Sequence, residues 1–101
     1  MSEPQPASLR QELQSECAEI GWHELERHYA RGVVLRVEGT VGLLEVAEAM
    51  AVDDRATVAG WLDSGELAAV SSEEAARWHA GAARLNAVVV APWVLVTADN
   101  P

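Results

Sequence analysis

The chain is 101 residues long, half of them apolar and 23% charged, which excludes a disordered polymer and leaves room for one domain with one core. Sixteen acidic residues face seven basic ones, all arginine, for a formal charge of -9; an acidic surface repels phosphate, so neither nucleic acid nor an anionic membrane is an expected partner. Cys17 is the single cysteine, which excludes an internal disulfide and a thiolate metal cluster.

Residues 1–7 contain Pro4 and Pro6 and no apolar periodicity, and are predicted to be a flexible tail ahead of a single α+β domain over 8–98. The start lacks the basic and apolar regions of a signal peptide. The longest apolar stretch, Ala87 to Val96, is interrupted by Pro92 and has about half of the roughly 20 residues a membrane helix needs. The expectation is a soluble cytoplasmic protein with a reduced thiol.

Ser8 with Gln11 reads as a capping box. It opens a helix whose stripe is Leu9, Leu13, Cys17 and Ile20, ended by Gly21. A second helix runs from Trp22 or His23 to Ala30, with Trp22, Leu25 and Tyr29 on its apolar face and Gly32 beyond it. Val33 to Val37 is β-branched and short, and reads as a strand. Leu43 to Ala51 returns to helical spacing, and Asp53 is the expected N-cap of a helix over 54–63 that buries Val58, Trp61 and Leu62. Leu67 to Val70 is a brief strand, and Ser71 with Glu74 caps a helix to about Ala80. Leu85 to Thr97 is strand-forming yet contains Pro92. Because Ala91-Pro92 cannot adopt the positive φ of a type I′ hairpin, one bent edge strand is expected there rather than a hairpin.

With the 71–80 helix set aside, this order is that of a winged helix: helices with a small three-stranded sheet and a helix-turn-helix at 43–63. Locally, Val46 to Val52, Thr57-Val58, Trp61-Leu62 and Ser64-Gly65-Glu66-Leu67 resemble the excisionase-type helix-turn-helix. Nearly the whole chain carries a second resemblance. Trp22-His23-Glu24-Leu25-Glu26-Arg27-His28-Tyr29-Ala30-Arg31-Gly32, Leu44 to Ala47, the Trp61-Leu62 helix and Val88 to Val96 resemble, in order, a bacterial family known only as domain of unknown function 2288. His23 stands where that family has a serine N-cap, a poorer cap by about 1 kcal/mol. The resemblance implies no activity, cofactor or site residue.

His23 and His28 suggest a zincin-like pair, but they are five positions apart. That spacing turns the second imidazole by about 140° around a helix, so the two do not meet at one metal, and no metal or other cofactor is assigned. Glu24 and His28 are spaced as a surface ion pair. Cys17 lies on an apolar stripe with no basic neighbour to lower its pKa. No nucleophile elbow, phosphate loop or dinucleotide motif occurs, and a non-enzymatic role is expected. Trp61 and Trp78 fall on core faces, whereas Trp22 and Trp93 adjoin helix or strand breakers. The expected function is a protein-interaction or regulatory module, self-associating as a homodimer or held by another protein through the strand at 88–96. Its candidate surface comprises Trp22, Glu24, His28, Pro92 and Trp93. A DNA-binding regulator and an enzyme subunit completed across a dimer, using Glu24, Arg27 or His28, are the alternatives.

Over Leu43–Ser64 the only base is Arg55, against Glu45, Glu48, Asp53, Asp54 and Asp63, where a DNA reader presents positive charge. Anisotropy titration against mixed genomic fragments at low ionic strength is therefore expected to show no binding; salt-sensitive micromolar binding would refute the charge argument.

Overall fold

The computed structural model describes residues 6–98, with side chains from Leu9 onward. The elements in order are α1 (Pro6–Glu16), β1 (Ala18–Gly21), α2 (Trp22–Ala30), β2 (Val34–Val37), α3 (Leu43–Ala51), α4 (Arg55–Ser64), β3 (Leu67–Ala69), α5 (Ser72–Ala80), β4 (Arg84–Val90) and β5 (Trp93–Thr97). They form an α+β fold whose five strands lie in the order β1-β4-β5-β2-β3. Only β2 and β5 pair in parallel; the other neighbours are antiparallel. The expectation of three strands in a winged helix is thus corrected to one open five-stranded sheet.

Two further expectations are corrected. The amide of Cys17 closes α1 by bonding to the carbonyls of Leu13 and Gln14. Ile20 is therefore not on a helical stripe but sits in β1 opposite Leu85. The 85–97 segment is a hairpin, with Val90 opposite Trp93 and a cis Ala91–Pro92 bond in its two-residue turn. A cis proline at the third turn position is the type VI solution, which an argument confined to primed turns overlooks. Neither strand of this hairpin is an edge. The edges are β1, where Glu19 pairs with Arg84, and the three-residue β3; charge and shortness both discourage further strand pairing.

The strand alternation sends side chains to two cores. On one face, α2 and α5 bring Trp22, Leu25, Ala75 and Trp78 onto Val34, Leu85, Ala87, Val94 and Val96. On the other, α1 and α3 bring Leu13, Leu43, Val46 and Ala47 onto Val37, Val88 and Leu95. The middle strand β5 is covered on both sides, with Leu95 and Val96 both 0% exposed.

Helix ends follow local chemistry. Ser71 and Glu74 form the expected reciprocal capping box of α5. Asp54, not Asp53, caps α4 by accepting from the Thr57 amide, while Asp53 takes a positive φ of 59° in the turn. Gly65, with φ of 86°, ends α4 in the left-handed conformation that costs glycine little. The N-cap of α2 is Gly21, without a side-chain cap, so His23 is already inside the helix and its imidazole is not placed as a cap.

Trp22 is 1% exposed, which corrects its assignment to an interaction surface. Its ring meets Trp78 edge-on at 5.2 Å and Tyr29 at 5.4 Å between centroids. Trp22→Ala removes the centre of this cluster and is expected to cost about 3–5 kcal/mol. Urea unfolding followed by far-UV circular dichroism measures it, and a loss below about 1 kcal/mol would contradict this packing.

Candidate functional sites

Trp22-His23 in α2 and Trp78-His79 in α5 are the same dipeptide on two facing helices. The indoles pack inward on each other, and the next residue of each helix turns outward. His23 and His79 accordingly stand with ring centroids 5.0 Å apart and planes at 82°. Glu26, one turn along α2 from His23, lies between them. Its Oε1 is 3.3 Å from His23 Nδ1, and its Oε2 accepts a 2.9 Å hydrogen bond from His79 Nδ1. Partial desolvation pulls the Glu26 carboxyl upward, but hydrogen bonds and charge from the two imidazoles outweigh it and hold the group below its ordinary value. Spacing within α2 alone does not reveal His79, which lies on another helix; the repeated Trp-His dipeptide is the signal the sequence carries for it.

The other predicted surface residues separate. Glu24 and His28 share a cavity of about 290 Å³ with Leu25, Arg27 and Val89, between α2 and β4. Pro92 and Trp93 lie at the hairpin tip and line a groove of about 340 Å³ with Met50, Val58, Leu62 and Val90. This groove exists because α4 buries no residue. Leu62, expected in the core, is 50% exposed, and Val58 and Trp61 are only half-buried. Trp93 is 36% exposed, and Asp53, Asp54 and Arg55 form one rim of the groove.

The remaining polar clusters have structural duties. Arg36 on β2 joins Glu38 at 2.7 Å and reaches Glu74 at 2.9 Å, tying the sheet to the first turn of α5. Arg10 pairs with Glu45 and Glu48, tying α1 to α3. Burial, with the Glu16 charge beside it, pushes the Cys17 thiol above its ordinary value, so it is protonated at neutral pH and a poor nucleophile.

A five-stranded α+β domain with an open apolar groove and a surface His-Glu-His cluster is a class of structure, not yet an activity. Residues 8–98 match the family model described as protein of unknown function (DUF2288), and the chain belongs to that family. It is similar to PA1075 from Pseudomonas aeruginosa, known from an NMR solution structure, at 42% identity and a TM-score of 0.79 over 100% of this chain and 93% of that one. No curated protein matches it. Among the described residues, no helix is long and apolar enough to cross a membrane.

Because the folded state lowers the Glu26 pKa, its carboxylate adds stability above the unfolded carboxyl value, and this is lost as pH falls through the folded value. Glu26→Gln is therefore expected to lower the thermal midpoint at pH 7 and to leave it unchanged near pH 2. Paired melting curves test this; an equal shift at both values would contradict it.

Proposed function

We propose that this protein is a non-catalytic binding module whose groove between α3, α4 and the β4–β5 tip takes an apolar segment flanked by basic residues from another protein. The observation that carries the reading is an exposed apolar lining, Leu62 and Trp93 above all, rimmed on one side by Asp53, Asp54 and Arg55. Arg55 pairs with Asp53 at 3.2 Å, which leaves the Asp54 carboxylate as the rim's unbalanced charge. Exposed apolar surface of this kind marks interaction sites, and aromatic side chains are favoured anchors there. Charge selects the partner. A second copy of a chain carrying -9 meets the acidic rim with like charge, whereas lysine or arginine beside an apolar anchor is attracted to it. The same acidity disfavours DNA at the α3–α4 surface. The homodimer expected from an exposed strand at 88–96 loses that support, since both hairpin strands are internal.

The test uses 15-residue leucine-rich peptides flanked by lysine or by glutamate, added to ¹⁵N-labelled protein. The Lys-flanked peptide is expected to shift the Trp93 indole resonance, more strongly at low salt, and to do so at least about tenfold less well with Leu62→Asp, a change of about 1.4 kcal/mol. Equal response to both peptides, or none, refutes the reading. Sedimentation of the free protein at twice the chain mass, abolished by Leu62→Asp, would assign the groove to a second copy instead.

A further inference from the structure

We propose that His23, Glu26 and His79 form a binding site for one divalent transition-metal ion of the zinc class. Each residue offers one ligand atom, and these atoms all lie within 4.8 Å of one another. Two donors on a tetrahedral zinc ion with bonds of about 2.0–2.1 Å stand about 3.3 Å apart. His23 Nδ1 is 3.3 Å from Glu26 Oε1 and His79 Nδ1 is 2.9 Å from Glu26 Oε2, so each imidazole already stands near that spacing from one of the two carboxylate oxygens. The widest pair therefore needs to close by at most about 1.5 Å, and all three side chains are 40–59% exposed, so rotation about side-chain bonds supplies it. Both Nδ1 atoms face Glu26, and the near-perpendicular rings do not stack against each other.

The donor set suits zinc chemically. Imidazole nitrogen with a carboxylate oxygen matches a borderline divalent ion rather than calcium or magnesium, which take oxygen alone. Three protein ligands at the surface leave the fourth position to water or to a partner's side chain. The backbone is already in place. The buried Trp22–Trp78 contact, 5.2 Å between centroids, holds α2 against α5, so the following histidines are brought together before any ion arrives. This is the preorganisation that metal sites on rigid elements require. In the ion-free protein the Glu26 carboxylate takes the place of the ion by accepting from ring Nδ1–H groups. Metal uptake exchanges those contacts for bonds to one centre, each neutral imidazole ligating through Nδ1 with its proton carried on Nε2 and any excess proton released to solvent. The site lies on the α2–α5 side of the sheet and the groove of the proposed function on the other, so the two stand or fall separately.

The test is calorimetric titration of the untagged full chain with zinc chloride, with long-range ¹H–¹⁵N spectra of the histidine rings recorded alongside. One zinc per chain is expected at micromolar affinity or tighter, with shifts at His23 and His79 and none at His28. His79→Ala and Glu26→Gln should each weaken zinc about tenfold or more, while His28→Ala leaves it unchanged. His79→Gln serves as a second variant should His79→Ala fail to give the native circular dichroism spectrum. Absence of saturable zinc uptake below about 100 μM, uptake seen at His28, or full affinity in the His79 variants would overturn the assignment.

Discussion

The two-sided burial of β5 is the constraint on which the architecture depends. Val94, Leu95 and Val96 form an unbroken apolar run, and a strand of that kind has no face it can turn to water. Helices must cover it above and below, and strands must flank it on both edges. β4 supplies one flank through the hairpin turn at Ala91–Pro92. β2 supplies the other in parallel, from a segment more than fifty residues earlier. The three layers and the mixed sheet both follow from this requirement.

The two helical layers are fastened differently. On the α2–α5 side, large aromatic rings fill the space, and Trp22 meets Trp78 edge-on and Tyr29 at a tilt over the sheet. Tilted and edge-to-face ring pairs carry a preferred geometry besides the area they bury, so the relative position of the two helices is set closely. The His-Glu-His cluster inherits that precision at the surface. On the α1–α3 side the packing is aliphatic, from Leu13, Leu43, Val46 and Ala47, and is supplemented at its rim by Arg10 with Glu45 and Glu48. Such exposed pairs add little energy; they orient α1 more than they hold it.

α4 stands apart from this scheme. It is well begun by Asp54 and well ended by Gly65, yet none of its residues is buried. A helix without a buried face draws its stability from caps and partial contacts, which places it among the elements that open most readily. The groove beside it is the consequence of that incomplete packing. Leu62 and Trp93 remain exposed because α4 reaches β3 and α3 without closing over the hairpin tip.

The sequence by itself determined the local elements. Helical spacing located α2 and α3, the Ser71–Glu74 pair located the start of α5, Gly65 the end of α4, and the motifs of the Trp22–Gly32 segment pointed to the family. These are short-range effects, decided by backbone capping and by residues one turn apart. The continuous run in β5 also carried the mark of a central strand, but Pro92 directed the reading toward an edge. What only the tertiary structure decided is non-local: Ile20 in a strand because Leu85 lies opposite it, the parallel pairing of β2 with β5, and Trp22 as core rather than surface. It also decided which face of α4 stayed open, and it brought His79 to Glu26 across 53 positions of sequence. Spacing along one helix constrains only that helix; which side chains of two different helices meet is set by how both pack on the same sheet.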